Sequence, residues 1–186
     1  MSNYFTRAMN PTWYHGHHQK PPFFEGWYYK LVNAAGDKRF AIIPGVFMSK
    51  DDSKTHAFVQ VLNGMTGEAA YHRFGSFEAK KNDFDVRIDQ STFQTDHINL
   101  NIDNEDGSVH GELHFNEMQP WPSTLTSPGA MGWYSWLPGM ECNHGVVSLT
   151  HEIEGTLTIN GEAIDFTGGR GYIEKDWGKS FPEGYI

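Results

Sequence analysis

Apolar and polar residues alternate with a period of two along much of this chain. Phe84-Asp-Val-Arg-Ile88, Ile98-Asn-Leu-Asn-Ile102, Val109-His-Gly-Glu-Leu-His-Phe115 and Leu157-Thr-Ile159 each put apolar side chains on one face of an extended segment and polar ones on the other. Half-buried antiparallel strands read this way. Turn residues separate the runs at short intervals: Ala35-Gly36-Asp37, Asn63-Gly64 with Thr66-Gly67, Lys81-Asn82-Asp83, Glu105-Asp106-Gly107 and Asn160-Gly161. Asn-Gly and Asp-Gly steps supply the positive φ that tight hairpins need. No long segment carries a 3.6-residue apolar period with caps. Many strands joined by short hairpins predict an all-β chain, a closed or nearly closed antiparallel barrel. Its expected core is Trp27, Tyr29, Phe40, Ile42, Phe58, Val61, Phe74, Phe77, Val86, Leu100, Leu113, Phe115, Val147, Leu149, Leu157, Ile159 and Phe166. Phe58 and Val61 differ in parity, so one of them must face outward or mark a bulge.

Two stretches break the alternation. Residues 1–21 hold Trp13-Tyr-His-Gly-His-His18 and run into Pro21-Pro22, which predicts an ordered or half-ordered N-terminal arm rather than a strand, ahead of one β-domain over 22–186. Residues 119–139 combine Pro120, Pro122, Pro128 and Pro138 with Trp121, Trp133 and Trp136, a loop that packs across a barrel mouth or forms a binding surface. The length, 186 residues, suits a single domain, and 38% hydrophobic with 15% aromatic residues is enough for a sizeable core. A net charge of -9 with scattered basic residues argues against nucleic acid and anionic membrane surfaces as partners. The single Cys142 excludes an intrachain disulfide and a multi-thiolate zinc site. The longest apolar stretch, around Phe40 to Met48, is too short to span a bilayer, and no signal peptide is visible, so a soluble cytoplasmic protein without an integral membrane segment is expected.

Three constellations could carry chemistry. On a strand, Glu25, Trp27 and Tyr29 share a face, and a carboxylate among aromatic rings inside a barrel would have its pKa raised, a way to keep an acid protonated near neutrality. The alternative is a Glu25 that faces solvent or pairs with a lysine. In Asp165-Phe-Thr-Gly-Gly-Arg-Gly-Tyr-Ile-Glu-Lys-Asp-Trp-Gly178, Arg170, Tyr172, Glu174 and Asp176 fall on one face and Ile173 and Trp177 on the other. That polar row is either a solvated wall or a network in which Glu174 and Asp176 titrate as a coupled pair. Gly168, Gly169, Gly171 and Gly178 weigh toward a place where something approaches the backbone. The third constellation surrounds Trp133, Trp136, Glu141, Cys142 and His144. There Glu141 and His144 could orient a substrate hydroxyl, or Cys142 with His144 could make a nucleophile pair, a weaker idea because a lone buried cysteine is usually a small hydrophobe. His15, His17 and His18 resemble a metal tract without an acidic or thiol partner to complete it, so a solvated arm and no metal are expected.

These residues also resemble a family. Phe24-Glu-Gly-Trp-Tyr-Tyr-Lys30, Ile43-Pro-Gly-Val-Phe47, Gly132-Trp-Tyr-Ser135, Met140-Glu-Cys142, His144-Gly-Val-Val147 and, above all, Phe166-Thr-Gly-Gly-Arg-Gly-Tyr-Ile-Glu-Lys-Asp-Trp-Gly-Lys-Ser-Phe-Pro182 resemble the tocopherol cyclase family. The resemblance implies a lipocalin-like all-β fold, distantly similar to carotenoid hydratases. It implies closure of a chromanol ring from a prenylated quinol, an isomerisation with no cofactor, redox change or metal. Such a reaction protonates a trisubstituted alkene and traps the cation with a phenolic oxygen, so it needs an acid and aromatic faces. Family members are longer and carry a second β-rich half, so the chain looks like an N-terminal portion.

Two functions compete on this reading. In the first, Glu25, Glu174 and Asp176 are candidate acids, Glu141, His144, Arg170 and Tyr172 orient polar groups, and Trp27, Tyr29, Trp133, Trp136 and Trp177 line the hydrocarbon path. In the second, the barrel binds a prenyl lipid or another apolar small molecule without chemistry. A weaker third reading makes the motifs purely structural, a seam of glycine turns and ion pairs. Arg170 is expected to pair with a carboxylate. Tyr185 and Ile186 read as the opening of another strand, and an uncovered edge there would favour a homodimer or strand-exchanged oligomer.

Overall fold

The computed structural model describes residues 4–181, which form twelve strands and little helix. The strands are β1 (Phe23–Val32), β2 (Arg39–Met48), β3 (His56–Asn63), β4 (Ala69–Phe74), β5 (Glu78–Ala79), β6 (Asp85–Ile88), β7 (Ser91–Gln94), β8 (His97–Asn104), β9 (Gly107–Asn116), β10 (Cys142–Ile159), β11 (Glu162–Asp165) and β12 (Gly169–Gly178). Hairpins follow the turn residues: Asn160 and Gly161, at φ 50° and 84°, join β10 to β11 in the left-handed conformations a two-residue turn requires.

All pairings are antiparallel and build one sheet in the order β4-β3-β2-β1-β12-β10-β9-β8-β7-β6-β5, with β11 against the far end of β10. The last strand thus lies between β1 and β10. The sheet is strongly curved but not closed. Its inner face folds on itself: Tyr29 on β1 donates its hydroxyl to the Gln94 carbonyl on β7 at 2.9 Å, and His72 on β4 meets Asn104 on β8 at 2.8 Å. Trp27, Tyr29, Phe84, Phe93 and Phe115 pack ring against ring through the centre, with Trp27 stacked on Phe84. The expected core is buried except at four positions. Phe74 and Phe77 are half-buried. Phe58 faces outward, as its parity against Val61 allowed, and stacks on Tyr71 at 5.0 Å. Leu149 is exposed because the β10–β12 register slips between Val146 and Ser148, which exchanges the faces of β10 there, and slips again before His151, which restores them.

The arm is ordered and forms no strand, as expected, but its histidines are not all solvated. A short helix, Tyr4–Ala8, and a 3-10 turn, Gly16–His18, carry it over one end of the sheet, where Tyr14, His15 and Gly16 are buried. Only His17 and His18 fit the solvated reading. Tyr185 and Ile186, the proposed start of a further strand, lie outside the described residues.

Candidate functional site

Strand β12 presents two different chemistries on its two faces. Alternation turns Ile173 and Lys175 inward, and Tyr172, Glu174 and Asp176 outward. Glycine is required at two positions of this strand: a Cβ at Gly171, on the inner side, would lie 2.0 Å from the His151 ring nitrogen, and one at Gly178 would lie 2.0 Å from the Glu141 carbonyl oxygen.

On the inner face, β1 pairs with β12 so that Trp27 lies opposite Lys175 and Glu25 opposite Trp177. Lys175 and Glu25 are both fully buried, and the ammonium sits 2.8 Å from Glu25 Oε1. Its three protons have three acceptors: Glu25, the Trp13 carbonyl and His15 Nδ1 at 3.0 Å. The His15 backbone N–H donates to both Glu25 oxygens, at 3.1 and 2.8 Å. Because His15 Nδ1 accepts, its ring proton resides on Nε2, 3.3 Å from the Arg7 carbonyl; the Arg7 guanidinium in turn donates to the His15 carbonyl. The His15 ring stacks on Trp177 at 4.2 Å, and the ammonium lies 5.4 and 4.9 Å from the Trp27 and Trp177 rings.

Burial and the Lys175 ammonium push His15 down to about 4. Burial alone would raise the Glu25 carboxyl, but Lys175 and His15 outweigh it and hold the group below the usual carboxylate range. Lys175 is lowered to about 8 by burial, against the pull of Glu25. Glu25 is therefore an ionised carboxylate in a matched ion pair, not the neutral dry acid expected on this face. Its partners are all spoken for, and what it does is pin the arm to the sheet.

On the outer face, the start of β10 pairs with the end of β12 and sets His144 against Asp176. His144 Nδ1 is 2.9 Å from Asp176 Oδ1, and Nε2 is 3.6 Å from Glu174 Oε2. Tyr172 donates to Glu174 Oε2 at 2.5 Å. The bond to Asp176 and the charge of both carboxylates raise the His144 pKa against a smaller opposing effect of burial. Tyr172 is pushed well up by burial and by Glu174, so it stays a phenol and a donor. These side chains are only partly buried, so protons can exchange with water.

The 117–141 loop roofs this cluster. A cleft of about 840 Å³ is lined by Met131, Gly139, Met140, Glu141, Cys142, His144 and Asp176. A neighbouring cleft of about 280 Å³ shares Met131, Gly139, Met140 and His144 and is walled on the other side by Arg7, His15 and Trp177. The His144 backbone N–H donates to the Met131 sulfur at 3.1 Å, which ties the loop to the site. Cys142 is raised to about 12 by burial and by Asp176, the opposite of an activated thiol.

The predicted site residues therefore divide. Glu174, Asp176, Tyr172, His144 and Glu141 come together on the outer side, whereas Glu25, Trp27 and Tyr29 are inside. Glu25 and Glu174 project to opposite faces of the sheet, which rules out a shared acid site. Trp27 and Tyr29 are packed in the core. Trp177 walls the smaller cleft, Trp133 is 56% exposed, and the Trp136 indole bonds the Leu125 carbonyl at 3.0 Å. Arg170 does pair with a carboxylate, Glu152 at 3.0 Å, but on the exposed surface away from the cluster. Among the described residues no group of three or more His, Cys, Asp or Glu is arranged to hold a metal ion, and no helix is long and apolar enough to cross a membrane.

Sequence reasoning missed Lys175, His15 and His151. Lys175 shares the parity of Ile173 and Trp177, and that was its available signal. His15 was visible only as part of a histidine tract. His151 is buried against Phe115 and Gly171, lowered to about 4 by burial, with Nδ1 bonded to Ser148 Oγ and Nε2 without a hydrogen-bond partner; it shares the parity of Ile153, Leu157 and Ile159, and that was its available signal.

No family model matches the chain, and no curated protein matches it. Solved structures do. The chain is similar to CghA in complex with Sch210972, at 11% identity and a TM-score of 0.52 over 86% of this chain and 46% of that one. It is also similar to a protein of Nitrosomonas europaea provisionally assigned as AttH, at 17% identity and a TM-score of 0.54 over 91% of this chain and 58% of that one. The chain spans about half the length of these structures. At such identities the likeness defines the fold, a lipocalin-like curved antiparallel sheet.

Proposed function

We propose that the chain carries the acid–base site of a tocopherol cyclase-like isomerase or lyase acting on a prenylated quinol or related isoprenoid. The observation that carries this reading is the hydrogen-bonded cluster of His144, Asp176, Glu174 and Tyr172, of which His144 and Asp176 line a cleft together with Met131, Met140, Gly139, Cys142 and Glu141. The sequence resemblance supports it, since its longest motif supplies Tyr172, Glu174 and Asp176.

Ring closure of this kind takes in one proton at carbon and gives up one from a phenolic oxygen. The cluster has a group for each step. An imidazolium at His144, held by Asp176, donates to the alkene. The Glu174 carboxylate, oriented by Tyr172, accepts the phenolic proton as the oxygen captures the cation. Transfer across the 3.6 Å from Glu174 back to His144 Nε2 restores the starting state, so nothing is consumed. Incubation with a phytylated benzoquinol and analysis of the product tests the reading. Chromanol formed by the parent and lost in Glu174→Gln and His144→Gln is the expected result; turnover unchanged in both variants overturns it.

One observation favours a second reading, a binder of a prenyl lipid or other apolar molecule. The carboxylates that retain the proton on His144 also weaken it as an acid toward carbon. Saturable quenching of tryptophan fluorescence by a prenyl quinol, with no product formed, selects the binder.

A further inference from the structure

The loop over the site has a composition unlike the rest of the chain. From Met118 to Met140 it contains no charged residue and no histidine, within a protein of net charge -9. Its backbone is nonetheless ordered. Gln119 exchanges hydrogen bonds with Thr150 and Leu149 of β10, Thr124 and Ser127 bond each other in a tight turn, and a 3-10 turn spans Gly132–Trp136. The indole N–H of Trp136 on the Leu125 carbonyl draws the two halves of the loop together. The result is one protruding tip on which Leu125 is 81%, Trp133 56% and Tyr134 50% exposed, with the last two rings stacked at 4.3 Å.

Large apolar side chains left this exposed on an ordered, uncharged loop add nothing to the core, because only burying them would stabilise the fold. Tryptophan and tyrosine beside leucine, without charge, match the headgroup–acyl boundary of a bilayer. We propose that this tip docks the protein reversibly on an electrically neutral, zwitterionic lipid surface. The net charge of -9 argues against an anionic surface, and the loop has no lysine or arginine to seek one. The tip is also continuous with the site: Met131, Gly139 and Met140 of the same loop line both clefts, so a docked protein opens them close to the acyl region from which an apolar ligand would enter. Docking stands independently of any reaction at His144.

The test is co-sedimentation of the full chain with phosphatidylcholine vesicles, alongside the emission maximum of its tryptophans. Saturable binding, a blue shift, little dependence on salt, and weaker binding as phosphatidylserine replaces phosphatidylcholine are the expected results. Leu125→Ser and Tyr134→Ser should each weaken partitioning about tenfold, as loss of one buried apolar side chain predicts, and Trp133→Ser should also remove most of the blue shift. All three positions are exposed, so far-ultraviolet circular dichroism and the urea midpoint should remain those of the parent. Absence of binding to phosphatidylcholine, or undiminished binding by the triple variant, overturns the proposal. So does lipid-independent self-association that the triple variant abolishes, which would assign the tip to a second copy. Failure to turn over a quinol while vesicle binding persists would count against the cyclase reading alone.

Discussion

Two clusters of charge share the end of β12, separated only by the thickness of the sheet. Inside, Lys175 and Glu25 meet at 2.8 Å with His15 beside them; outside, His144 and Asp176 meet at 2.9 Å with Glu174 beside them. The contacts are nearly the same length and the consequences are opposite. The inner pair has left water entirely, so its attraction must first offset desolvation, and it persists only because every donor is matched. Such a pair holds geometry and cannot exchange protons with bulk solvent. The outer pair keeps about a third of its surface in water, is worth less to stability, and can load and release protons. Charge in a fold therefore divides by access: buried charge organises, and half-buried charge can react.

Acid should separate the two faces most strongly. His15 and His151 titrate at about 4 in the fold and near 6.5 when unfolded. As pH falls from about 6.5 to 4, the unfolded chain takes up protons that the folded one refuses, so stability drops. The loss should be on the order of 2–3 kcal/mol from each. His144 has the opposite sign: its raised value contributes stability that is present below about 6.5 and lost as pH rises through the folded value. Urea midpoints measured across this range should fall steeply on the acid side. A flat profile down to pH 4 would mean that the inner imidazoles are not sequestered.

Next in size is removal of the inner cation. Lys175→Met leaves Glu25 buried and unpaired and should cost about 3–5 kcal/mol in chemical denaturation. Adding Glu25→Leu should recover part of this, since an apolar pair needs no matching charge. If the single variant unfolds at the parental midpoint, the pair is not as buried as described.

The outer cluster should show the reverse balance. His144→Gln should shift the unfolding midpoint little but lower turnover of a prenyl quinol by about a hundredfold or more, in the range of one general acid–base group. The smallest effect is expected at Arg170→Ala. Its ion pair with Glu152 is exposed on both sides, and loss of such a pair changes stability by about 1 kcal/mol or less. A larger loss would give the structural-seam reading of this strand new weight.

Period-two alternation and turn chemistry are local, so they were legible without a structure. The strands, the hairpins, the shared face of Glu25, Trp27 and Tyr29, and the outward row Tyr172, Glu174 and Asp176 all follow from side chains that alternate across an extended backbone. The parity conflict between Phe58 and Val61 was also local, and was resolved by an outward Phe58. Three things were not local. Which strand lies beside β1 is a contact between distant parts of the chain, and only β12 inserted there brings Lys175 to Glu25 and turns an expected neutral acid into half of an ion pair. The register slips in β10 exchange its faces between Val146 and His151, exposing Leu149, and no residue pattern announced them. The histidine tract read as solvated because it lacked the convergent partners of a metal site, yet the Glu25 carboxylate draws the His15 backbone into the sheet. Alternation says which residues lie together on a face, but pairing and packing over long separations decide which face water reaches, and that access assigns each charge its role.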